Sequence, residues 1–153
     1  MAKKTSILPS PGPSPFTLFG VSCHLNDYRL SYLLNSKLEL EFIKMDDFQG
    51  FSFYLYQDDE FFTNYYLLSN RTQESILFPE LKQTDFLLLT EGPMKKFSKE
   101  ELLKNIRGIP HVLTAFEIRP QTIKNYETML NDLEIHYMKI KKSATLKYSP
   151  TKK

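Results

Sequence analysis

The chain has no tryptophan, one cysteine and only five glycines among its 153 residues, and each shortage narrows what it can be. With Cys23 alone, no intrachain disulfide can form and no cysteine-rich zinc site can close within one chain, which points to a reducing compartment. Gly12, Gly20, Gly50, Gly92 and Gly108 fall into neither the G-x-G-x-x-G nor the G-x-x-x-x-G-K pattern, so a standard nucleotide-binding loop is missing. No apolar run approaches the roughly 20 residues that a membrane helix needs. Lys3 and Lys4 are followed by Pro9, Pro11, Pro13 and Pro15 rather than by the apolar stretch of a signal peptide. The expectation is a cytoplasmic protein without a membrane segment. His24, His111 and His136 show no ligand spacing, and neither a metal nor a cofactor is expected.

Phenylalanine and tyrosine are plentiful, twelve and nine, and rings suit a pleated, half-buried surface. Length and composition predict a single α+β domain with a mixed, largely antiparallel sheet of about five to seven strands and two or three helices. That domain is placed at residues 16–138, between a proline-rich arm over 1–15 and a basic tail over 139–153. The net charge of +2 hides an asymmetry. Residues 16–134 carry 12 cations against 18 acids, while Lys3, Lys4, Lys139, Lys141, Lys142, Lys147, Lys152 and Lys153 make the ends basic. A basic tail on an acidic body reads either as a tether for RNA or the ribosome or as a solubilising segment.

Local patterns fill in the domain. Phe16 to Ser22 reads as a strand. Asn26 or Asp27 caps a helix running to about Ser36, with Leu30, Leu33 and Leu34 on one stripe. Leu38, Leu40 and Phe42 alternate with Glu39 and Glu41 as a strand, and two more strands, Phe51–Gln57 and Phe62–Ser69, complete an antiparallel meander with tyrosines on its outer faces. The run Phe86–Leu89 predicts a strand covered on both sides. Ser98 and Glu101 form a capping box for a helix ended by Gly108, and Val112–Ile118 is the next strand, giving a parallel crossover. Pro120 opens a third helix over 120–132, with Leu133–Ile140 as an edge strand or the start of the tail.

At Phe78-Pro79-Glu80-Leu81-Lys82-Gln83-Thr84-Asp85-Phe86 the sequence resembles the IPExxxVDY family of small bacterial proteins. The resemblance extends, in order, through Gly20-Val21-Ser22, Asp27-Tyr28-Arg29-Leu30 with Asn35, Phe51-Ser52-Phe53-Tyr54, Leu67-Leu68-Ser69-Asn70, and Pro110 to Ile118. Phe78, Thr84 and Phe86 replace the family's Ile, Val and Tyr, so a hydroxyl at the last position is lost. The resemblance implies a bacterial protein but no particular activity.

Chemistry-bearing candidates are few. Cys23 beside His24 invites a nucleophilic reading, but neighbours in an extended segment point to opposite sides, and a buried structural thiol is the better expectation. Glu39, Glu41, Asp46, Asp47, Asp58, Asp59 and Glu60 could serve a cation or a basic partner, or simply solvate a hairpin. Asp27, Tyr28, Arg29, Pro79, Glu80 and Asp85 stand out as an interaction or structural network, with Arg29 expected to pair with Glu80 or Asp85 and Pro79 to end an edge strand. The preferred function is non-enzymatic binding of a protein partner. The alternative is an RNA- or ribosome-associated role using the tail lysines, aided by Lys95, Lys96, Lys99, Lys104 and Arg107. An enzyme built on Glu80 and Asp85 comes third.

Overall fold

The computed structural model describes residues 16–148; the arm over 1–15, Lys152 and Lys153 lie outside the described residues. In chain order the elements are β1 (Phe16–Cys23), α1 (Asp27–Leu38), β2 (Ile43–Phe48), β3 (Phe51–Asp58), β4 (Thr63–Ser69), β5 (Phe86–Glu91), α2 (Lys99–Arg107), β6 (Val112–Ile118) and α3 (Tyr126–Tyr148). Single 3-10 turns occupy Pro79–Leu81 and Pro120–Thr122. The six strands form one sheet, ordered β2-β3-β4-β5-β1-β6, in which every ladder is antiparallel. The result is the expected single α+β domain.

The ladders also explain what became of the crossover. β5 and β6 run parallel to one another, but β1 lies between them and pairs antiparallel with both. α2 therefore crosses over an inserted first strand, a long-range pairing that no local pattern around residues 86–118 could reveal.

Both faces of the sheet are covered. Phe19, Val21, Tyr54, Tyr56, Tyr65, Leu67, Phe86 and Leu88 pack beneath Leu30, Leu34 and Leu38 of α1 and Leu102 and Ile106 of α2. Leu18, Phe53, Leu55, Tyr66, Leu68, Leu87 and Leu89 pack beneath Tyr126, Met129, Leu130 and Leu133 of α3. This corrects the expectation of tyrosines on outer faces. Tyr54, Tyr56, Tyr65 and Tyr66 are all buried, because helices cap the two sides of what was read as a half-solvated meander.

Several element boundaries also differ from expectation, among them the start of the third helix, which lies at Tyr126 after the separate 3-10 turn at Pro120–Thr122 rather than at Pro120. α1 continues to Leu38 and stops at Glu39, whose left-handed φ of 57° does the work usually given to glycine. Leu40 and Phe42 are therefore buried loop residues, and Asn35 holds that loop by accepting from Phe42 N at 2.8 Å and donating to Phe42 O at 3.1 Å. Residues 133–140 belong to α3 rather than to an edge strand, since Leu133, Tyr137 and Ile140 face the sheet at helical spacing while Ile135 and Met138 point outward. Lys139, Lys141 and Lys142 consequently sit on a helix, as does the backbone of Lys147, where a tail was expected. The capping box of α2 is present as read, with Ser98 and Glu101 each accepting from the other's backbone N–H. Among the described residues, no helix is long and apolar enough to cross a membrane.

Candidate functional site

The end of β1, the start of β3, the end of β4, the start of β5 and the start of β6 all fall at the same end of the sheet. The N-terminus of α1 and the loop from Asn70 to Asp85 complete that end. The organising residue is Asn70, which is wholly buried. Its side chain donates to the carbonyls of Leu81 and Thr84, both at 2.9 Å, and accepts from Phe78 N at 2.9 Å. Its backbone accepts from Leu77 N and donates to the carbonyl of Asp85. One side chain thus folds the whole segment from 77 to 85 into a hydrogen-bonded loop. Sequence reading took Asn70 for an ordinary turn residue; a short amide within an apolar strand end was the available signal.

The loop separates Glu80 from Asp85. Asp85 Oδ2 accepts from Cys23 N at 2.9 Å, and its Oδ1 lies 3.5 Å from Arg71 Nε. Glu80 Oε2 accepts from Lys124 N at 2.9 Å, and together with its own N–H this holds the exposed Glu80 carboxyl below the usual range. Pro79 opens a 3-10 turn instead of ending an edge strand. The expected pairing of Arg29 with either acid is not formed. Arg29 projects from the exposed side of α1, and among the described residues its side chain has no ion pair; Arg71, next after Asn70 on the loop, takes the role instead. Asp27 accepts from Tyr54 Oη at 3.2 Å, and burial, then the Asp27 charge, pushes the Tyr54 phenol up.

Two clefts flank this end of the sheet, divided by the Gln49-Gly50 turn. The first, of about 400 Å3, joins Asp27 and Asn26 of α1 to Lys44, Ser52, Ser69 and Arg71. The second, of about 480 Å3, runs between Phe78, Pro79 and Glu80 on the loop and Asn125, Met129 and Asp132 at the start of α3. Asp27 and Asp85 therefore belong to one side, Pro79 and Glu80 to the other. Gly20 lets side chains close in underneath: a Cβ there would stand 2.8 Å from Ile118 Cδ1 and 3.1 Å from Thr84 Cγ2, so these side-chain ends pack directly over the bare backbone of β1.

Compared with protein-family models, curated proteins and solved structures, the chain matches none. The site is therefore read from its own geometry. Cys23 is buried; burial pushes its thiol up and the Asp85 charge adds to this, while a bond to the Leu25 carbonyl opposes it. At neutral pH it is a thiol, not a thiolate nucleophile. Asp58 is buried as well and accepts from Glu60 N and Phe61 N, so this member of the acidic set closes the β3–β4 turn.

Exposed aromatic rings among the described residues lie at Phe62 in the β3–β4 turn and, as a pair, on α1. Tyr28 and Tyr32, one turn apart, are 68% and 60% exposed, with Arg29 beside them. Of the cations expected to assist nucleic-acid binding, Lys96 donates to the carbonyl of Glu39, Lys99 pairs with Glu117 at 3.1 Å, and Arg107 Nε donates to the carbonyl of Ala115. Those three have structural partners.

Proposed function

We propose that this is a protein-binding module whose partner docks on the outer face of α1 at the Asn70-organised end of the sheet. One observation carries the reading: Tyr28 and Tyr32 are held out in solvent, one helical turn apart and beside the exposed Arg29, while every tyrosine of the meander is buried. Tyr and Arg are the side chains that most often dominate protein interfaces, since each offers a large rigid surface with a polar end. The Asp27–Tyr54 bond and the Asn26 cap, which accepts from Arg29 N at 2.8 Å, fix the first turn that presents them. The bacterial cytoplasm and the resemblance to the IPExxxVDY family belong to the same proposal. The test is a photo-crosslinking phenylalanine analogue placed at position 32 and, separately, at position 138 on α3. One protein crosslinked from position 32 but not from 138 supports docking on α1; the reverse pattern contradicts it.

A second reading follows from α3. Glu134 is the last acid of the chain, and the helix beyond it carries Lys139, Lys141 and Lys142. A basic helix of this kind suits RNA or ribosome binding through phosphate contacts, which weaken steeply with salt.

A further inference from the structure

The second cleft shares no residue with the outer face of α1 and has a chemistry of its own. It follows about two turns of α3, from Asn125 to Asp132, a length of about 10 Å at 1.5 Å per residue. Glu80 stands at one end, anchored to Lys124 N, and Asp132 at the other, accepting from Gln49 Nε2 at 3.2 Å. Asp132 keeps Oδ1 without a hydrogen bond among the described residues, and Glu80, held by Lys124 N and its own N–H, remains exposed. Between the two ends the lining is mixed: Leu77, Phe78, Pro79 and Met129 are apolar, with Phe78 and Met129 buried, while Asn125 and Thr128 add exposed polar groups from the α3 side. Among the described residues Lys124 is the one cation on this rim, and Lys139 lines a smaller hollow beyond Asp132.

An acid at each end of a partly apolar trough matches a molecule with a cation at each end of a methylene chain. The cleft's volume of about 480 Å3 falls in the range of small-molecule sites. We propose that this cleft binds a linear aliphatic polyamine, its terminal ammonium groups at Glu80 and Asp132 and its methylenes along Phe78 and Met129. Charge complementarity is local and comes from Glu80 and Asp132 at the two ends of the cleft. The same diammonium chemistry could come from two lysines of a partner peptide, and the experiment separates the two sources.

Spermidine is titrated into isotope-labelled full-length protein while backbone amide resonances are followed, with N1,N8-diacetylspermidine and a Lys-Gly-Lys amide peptide as comparison probes. Saturable shifts at Gln49, Glu80, Asn125 and Asp132 are expected with spermidine and not with the diacetyl compound, whose terminal charges are gone. Glu80→Gln combined with Asp132→Asn is expected to weaken binding about tenfold, the sum of two modest exposed ion pairs. Thr128→Arg, which keeps both carboxylates and places a cation from α3 in the trough, is expected to abolish the shifts. Lys124→Gln is expected to strengthen binding. Equal shifts with the diacetyl compound, shifts spread over unrelated acids such as Asp59 and Glu100, or no effect of either acidic-end or Thr128 variant would overturn the proposal. Tighter binding of the dilysine peptide would overturn the free polyamine as the occupant.

Discussion

Asn70 shows how much one side chain can decide. Its three side-chain hydrogen bonds replace backbone pairing for a loop that has almost no regular structure. Asn70→Ala leaves the Phe78 N–H and two carbonyls without their partner in a buried place, and the expected loss is about 2–4 kcal/mol. Urea unfolding of the purified variant reads it directly. Tyr65 makes the opposite case. Its hydroxyl is buried without a hydrogen bond among the described residues, and burial followed by the Asp58 charge pushes the phenol up to about 12. Tyr65→Phe is therefore expected to leave stability at pH 7 unchanged or raised by up to about 1 kcal/mol. Tyr126 is likewise pushed up to about 12 by burial. Because the folded state holds these phenolic protons more tightly than the unfolded chain, their contribution is complete below the ordinary tyrosine value of about 10. It is lost as pH rises through about 12. Stability measured by denaturation should fall from about pH 10 upward, less steeply in Tyr65→Phe; a flat profile through that window would contradict the burial of these rings.

At the scale of elements, legibility depended on whether the deciding signal was local. The capping box of α2 was readable because Ser98, Glu101 and Gly108 fall within one helix length, and Ser98→Ala should cost about 1 kcal/mol in thermal unfolding. The two-sided burial of β5 was readable from Phe86-Leu87-Leu88-Leu89 alone. The segment 38–42 was not, since Leu38, Leu40 and Phe42 alternate like a strand while the feature that breaks the pattern is a left-handed Glu39 with no glycine to announce it. Leu133–Ile140 misled for a related reason: short apolar spacings fit two periods at once, and only packing against β3 and β4 favours the helix. The sheet edges explain why a module with open strands need not pair through them. On β6, Arg107 occupies the carbonyl of Ala115; on β2, a bulge between Met45 and Phe48 and the ring of His136 at the carbonyl of Asp46 interrupt the edge.

Across the described residues, two apolar clusters lie on opposite faces of one sheet, and the clefts at its Asn70 end open between them and the surrounding helices. The candidate residues Asp27, Tyr28, Arg29, Pro79, Glu80 and Asp85 do gather at one end of the sheet, which a chain-order reading could anticipate. Their division into two sides could not be anticipated, because it depends on Asn70 turning the loop and on β1 being inserted between β5 and β6. The predicted salt bridge of Arg29 failed for the same reason: a closer cation, Arg71, is brought in by the loop. That substitution is what leaves Arg29 beside Tyr28 and Tyr32 in solvent.

The most direct test of docking on α1 is a side-by-side crosslinked capture from lysate of the source cells, with nuclease present. It compares the wild type, the pair Tyr28→Ser and Tyr32→Ser, and the triple Lys139→Gln, Lys141→Gln and Lys142→Gln. The exposed tyrosines touch little of the core, so the pair should fold with a stability change within about 0.5 kcal/mol. The account predicts one protein recovered with the wild type and the lysine variant and lost with the tyrosine variant. Retention by the tyrosine variant with loss in the lysine variant would contradict it and move the binding surface to α3.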